Sequence, residues 1–218
     1  MLGVGDTVPV GRTPPEVVGR TTPRLAVQPG RVLALEGAPG LGMTRIALAL
    51  LAEPARSAPV AAVDVRGWLS PAAAWEAGVP AERLVVVRCG DRSLWPKVAA
   101  ALLDGIGAVY AEVPSGIPDR VLHRLAALAR SRGAALVLRP LRGSLPAGLA
   151  HLRLTASGVR WEGAEAGHGR LTRRLVVVRA SGRAVGGVER SLEVDDDGSH
   201  AVRLVPGLAA ASAGRAAG

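Results

Sequence analysis

A short apolar run, Val32 to Leu35, leads directly into the octapeptide Gly37-Ala-Pro-Gly-Leu-Gly-Met-Thr44, and an apolar helical pattern, Thr44 to Leu51, follows it. A strand that turns through glycines into a helix is the first half of a parallel crossover unit. This one junction therefore restricts the chain to an α/β architecture. The octapeptide fits a phosphate-loop pattern at every position but one. Gly37, Gly40 and Gly42 supply the tight backbone, and Thr44 supplies the hydroxyl that such loops offer to Mg²⁺. Met43 stands where the pattern requires lysine. The five residues form a degenerate phosphate loop that has lost its mobile cation.

Composition says what kind of core must carry that loop. Apolar residues make up 49% of the 218, yet aromatics make up 2% and phenylalanine is absent. The core must be aliphatic. Lys97 is the only lysine and Gln28 the only glutamine, with no asparagine, so coding bias favours arginine. Such a bias would convert lysine to arginine, not to methionine. The formal charge of +9 suggests nucleic acid or an acidic protein as partner, or a surface whose arginines follow that bias. Cys89 is the only cysteine, which excludes an internal disulfide and reads as a core residue. No signal peptide or apolar run of membrane-spanning length is seen, so a cytoplasmic location is expected.

Five prolines between Pro9 and Pro29 make residues 1–30 an extended arm, and the Ala/Gly/Ser-rich residues 207–218 read as a disordered tail. Between them, strands are expected at Val60–Val65, Leu84–Val87, Ala108–Val113 and Ala135–Leu138. Helices are expected at Pro71–Ala77, Leu94–Leu103 and Asp119–Ser131. Ser70 is placed as an N-cap and Gly78 and Gly133 as stops. After Pro140 the helical periodicity ends. His151–Ala156, Arg174–Ala180, Arg190–Val194 and Ala201–Val205 read as an antiparallel meander, with Asp197-Gly198 as a hairpin turn.

The segment Val63-Asp64-Val65-Arg66-Gly67-Trp68-Leu69-Ser70-Pro71, followed by Gly78-Val79, resembles the RecA recombinase family, with Asp64, Leu69, Pro71, Gly78 and Val79 matching. The resemblance implies a RecA-like phosphate-loop core, a mainly parallel sheet flanked by helices, over residues 31–206. The departures cluster at the nucleotide site. Arg66 takes the place of the family's water-aligning glutamate, and arginine cannot accept a proton. Ser70 and Ala73 replace residues set against adenine, and Arg139-Pro140 replaces the γ-phosphate sensor. Glu112 falls near the acid that supports Mg²⁺. Trp68 and Trp75 are expected to fill the space that adenine would use. The segments 115–118 and 141–145, where recombinases carry DNA-gripping loops, are short.

The combination resembles the ImuA (ImuA-prime) group, RecA-related accessory proteins of SOS mutagenesis, including a Leu-x-Arg-Arg-Leu-x-Val-x-Arg segment at Leu171 to Arg179. That resemblance implies a role in translesion synthesis through an ImuB-like Y-family polymerase homologue and an error-prone C-family polymerase, and through DNA. Arg139, Arg142, Arg173, Arg174 and Arg179 are the candidate face for nucleic acid or partner. No catalytic residue, metal ligand or cofactor is expected. The four histidines are dispersed, and Glu193 with Asp195–Asp197 reads as an acidic turn. Two alternatives stand beside this reading: an ATP- and Mg²⁺-binding ATPase in which Arg45 or Arg66 replaces the lysine, and a division inhibitor resembling SulA.

Overall fold

The computed structural model describes residues 25–165, 168–187, 190–196 and 203–206. The expected arm, but for its last residues, the expected tail and the Asp197-Gly198 turn lie outside the described residues. Strands β1 (Val32–Glu36), β2 (Val60–Asp64), β4 (Ala108–Val113) and β5 (Ala135–Pro140) are buried almost throughout. Continuous burial means that both faces of the sheet are covered. Helices α1 (Met43–Ala55) and α2 (Pro71–Glu76) cover one face. Helices α3 (Trp95–Gly105) and α4 (Asp119–Arg132) cover the other.

Among the described residues one sheet runs in the order β3-β2-β4-β5-β1-β6-β7-β8-β9, with β3 (Leu84–Arg88) at one edge. The pairs from β3 to β6 are parallel, and those from β6 to β9 are antiparallel. The fold class is therefore the expected one: a mainly parallel α/β core extended by antiparallel strands. The join is tighter than a separate meander would give, because β6 (Leu152–Glu165) pairs directly with β1. β6 and β7 (His168–Ser181) are also far longer than the apolar runs that suggested them. Their hairpin projects Arg160, Trp161 and Glu162 into solvent, so no core pattern marks that stretch. β8 (Arg190–Asp196) and β9 (Arg203–Pro206) complete the sheet.

α4 shows the expected amphipathic pattern, burying Leu122 and Leu125 and ending on Gly133 at φ 66. α1 continues one turn past Leu51, since Ala52 and Glu53 are good helix formers. Ser70 holds the N-cap position of α2 in extended geometry, but its hydroxyl makes no cap bond. The Asp64 carboxylate orders that approach instead. Its Oδ1 accepts from the Gly67 and Trp68 amides at 2.9 and 3.2 Å, and Oδ2 from Leu69 at 3.0 Å. Cys89 is buried, as expected.

Candidate functional site: the degenerate loop and its neighbours

The loop from Gly37 to Gly42 lies at the carboxyl end of β1, against α1. Gly42 enters the helix in the left-handed region, at φ 78, with no side chain capping the first turn. A β-carbon there would stand 2.6 and 2.7 Å from Nη1 and Nη2 of Arg174. The guanidinium of a β7 residue therefore lies directly on the loop, with the Trp161 ring 5.8 Å from its Cζ. Gly37 meets β6 in the same way, since its β-carbon would be 3.0 Å from that of Ala156. Met43 is 1% exposed and packs within the core that holds Leu35, Ile46 and Tyr110. The side chain that should reach over the loop is part of the hydrophobic interior.

Among the described residues three carboxylates are buried at the carboxyl ends of strands: Glu36 on β1, Asp64 on β2 and Glu112 on β4. Every one is occupied. Glu36 accepts from the Leu145 amide at 2.9 Å and from the Arg153 guanidinium. Arg153 also donates to the carbonyls of Leu145 and Pro146, which fastens the short segment after β5 to the sheet. Asp64 holds three backbone amides, as described. Glu112 Oε2 accepts from the Val65 and Arg66 amides at 3.1 and 3.3 Å. Its Oε1 accepts from Arg66 Nε at 3.1 Å, Arg66 Nη2 at 2.5 Å and Arg139 Nη1 at 3.3 Å.

Two residues that depart from the RecA pattern, Arg66 and Arg139, thus meet on a third position of the same site. Strand order explains the meeting, because β4 lies between β2 and β5 and Glu112 is in register with Arg139. The Glu112 hydrogen bond raises the Arg66 pKa above its ordinary value, with burial pulling the other way. Tyr110 lies in the same strand, its phenol pushed up to about 12, first by burial and then by the Glu112 charge; Arg139 and Thr44 oppose that. A divalent cation does not fit this arrangement. The acid that would support it already shares its lone pairs with two guanidiniums and two amides, and their charge would repel a second cation.

The five arginines expected to form one face do not. Arg139 is 6% exposed and bound to Glu112. Arg174 lies on the loop. Arg173 and Arg179 alternate with it on β7 and so occupy the opposite face of the sheet, Arg173 donating to Glu162 at 3.4 Å. Arg142 is exposed in the turn beyond β5. Arg66, one of the two candidates to stand in for the lysine, is instead bound to Glu112. Trp68 and Trp75 are 75% and 51% exposed, so they fill no adenine-sized hollow; Trp68 instead stacks beneath Arg66 at 4.8 Å. Among the described residues no cluster of three or more metal-ligating side chains occurs, and no helix is long and apolar enough to cross a membrane.

The family described as the MT3502 N-terminal domain matches residues 20–143, more than half of the chain. The chain belongs to this family. The MT3502 match covers β1 to β5, the four helices and the loop, and stops before β6. Among solved structures, a crystal structure of the RadB recombinase is similar at 16% identity. It aligns with a TM-score of 0.52 over 79% of this chain and 90% of that one. This likeness establishes a RecA-like fold. No curated protein matches the chain.

Proposed function

We propose that this MT3502-family chain is a RecA-like accessory protein that has given up nucleotide hydrolysis and works by binding. Its setting is DNA-damage-induced mutagenesis, with an ImuB-like Y-family polymerase homologue and an error-prone C-family polymerase as partners. The observation that carries the loss of hydrolysis is Glu112, whose oxygens are filled by Arg66 and Arg139. One site has lost its cation, its free acid and its water-aligning group together. The step to the mutagenesis setting rests on the ImuA resemblance in sequence.

Two measurements test it. ATP turnover by the purified protein should stay at background, and the immobilised chain should capture the polymerase homologue from damage-induced cells. Capture of the division tubulin homologue instead, or turnover well above background, would remove this reading. Nucleotide binding without cleavage is a second reading, favoured by the Arg174 guanidinium on the loop beside Gly42. Calorimetric titration with ATP, in wild type and Arg174→Ala, separates the two.

A further inference from the structure

At the end of the sheet opposite the loop, β1 and β6 begin side by side, with α4 packed beside them. Their starts carry Arg31 and His151. The turn after β7 adds Arg183, and α4 adds His123 and Arg130, seven residues apart and hence on one helical stripe. These five groups line one cleft of about 530 Å³. It meets a second groove of about 510 Å³ along Gly148 and Arg183. No carboxylate lines either.

The arginines here fall into two kinds. Arg153, which lines the second groove, reaches a buried acid, as Arg66 and Arg139 do at the other end of the sheet. Arg31, Arg130 and Arg183 have no acid partner among the described residues. His151 Nδ1 is buried without a hydrogen bond. The imidazole is depressed below its ordinary pKa by burial, then by Arg31 and Arg183. Among the described residues this concentration of positive charge is uncompensated.

It is also held in place. The His151 amide donates to the Val32 carbonyl at 2.8 Å, and the Ala184 amide donates to the His151 carbonyl at 3.0 Å. Gly182, at φ 110, permits the close approach: a β-carbon there would lie 2.6 Å from the His151 oxygen. Arg183 is thereby fixed over the start of β6. Like charges assembled on rigid backbone, with no counter-charge among the described residues, suit an anionic ligand. Two adjoining grooves that share Gly148 and Arg183 have room for a chain of phosphates rather than one. Their rings are the imidazoles of His123, which lines the cleft from α4, and of His151, which is half-buried. No Phe, Tyr or Trp lines either groove, so a broad platform on which successive bases would stack is missing there.

The geometry points to a binding groove for the phosphodiester backbone of single-stranded nucleic acid, gripped without sequence preference by Arg31, Arg130 and Arg183. The groove is distinct from the degenerate loop, and it does not depend on the accessory role: a chain that captured no polymerase could still bind there.

Fluorescence anisotropy with a labelled oligo-dT tests it, using the full chain, Arg31→Ala/Arg183→Ala, and Arg174→Ala as the loop control. The two substituted arginines are exposed, and matching thermal melts would show the double variant folded. The expected result is at least a tenfold loss of affinity in the double variant and none in Arg174→Ala. The slope of log K against log salt should shrink by about 1.4, roughly 0.7 for each lost phosphate contact. Competition with inorganic pyrophosphate separates a strand from a small anion. Oligonucleotide affinity unchanged in the double variant overturns the proposal, as does loss confined to Arg174→Ala. Pyrophosphate binding that depends on Arg31 and Arg183 without oligonucleotide binding overturns it equally.

Discussion

Arg66 Nη2 lies 2.5 Å from Glu112 Oε1, so the arginine read in sequence as standing in place of a water-aligning acid is bound to the acid beside it. Two substitutions that look independent in sequence form one ion pair. Glu112 is the hub, since its side chain is 2% exposed and Arg139 leans on it from the other side. Removing it would leave the Arg139 guanidinium buried without its charge partner. Glu112→Ala should therefore cost about 3–5 kcal/mol, the range for breaking a buried pair. Urea denaturation measures this directly, and Arg66→Ala, whose side chain is 24% exposed, should cost clearly less.

Restoring the missing lysine should not restore an ATPase. Met43 is packed in the core, and Glu112 would remain bound to its arginines. Met43→Lys places an ammonium in an apolar environment, which opposes the charged form. A lower melting temperature with phosphate release still at background is the expected outcome. Turnover rising tenfold would contradict the account of the site given above.

Gly42 can be tested separately from the nucleotide question. A left-handed φ of 78 on a residue with a β-carbon costs on the order of 1–3 kcal/mol. Gly42→Ala should lose stability in that range. The Arg174 guanidinium can move aside, being the end of a flexible side chain. Adding Arg174→Ala should therefore recover only the smaller, steric part, and a double-mutant cycle reads the difference.

Alkaline stability should depend on Tyr110. The unfolded phenol ionises near 10 and the folded one near 12, so between those values the native state holds a proton that the unfolded chain has released. Stability therefore falls as pH rises through that window, by up to about 3 kcal/mol. Denaturation curves at pH 9 and 11.5 should show the loss in wild type and a smaller one in Tyr110→Phe. His151 acts at the other end of the scale. Its folded pKa lies below the unfolded value, so acidification below about 6.5 protonates the unfolded chain first and weakens the fold.

The parallel core was legible because its strands are short unbroken apolar runs, such as Val60–Val63 and Ala108–Ala111, between helices of clear periodicity. Arg66 and Arg139 were legible as departures from the RecA pattern, and Glu112 as the acid kept in longer form. Their convergence was not, because it depends on β4 lying between β2 and β5, and strand order is absent from local pattern. The Arg174 contact with Gly42 and the cleft around Arg31, His123 and His151 were hidden for the same reason. In each, residues more than a hundred positions apart meet through the sheet. The full length of β6 and β7 was illegible because their outer halves bury little.

The direct pairing of β6 with β1 ties the segment matched by the family to the strands that follow it. A protein cut after residue 143 would lose Leu154, Ala156 and Val176 from the packing around α1, and β1 would become a bare rim. Its unpaired amides and carbonyls would recruit other chains. Anyone trimming this protein to its recognisable half should obtain aggregates rather than a smaller soluble core.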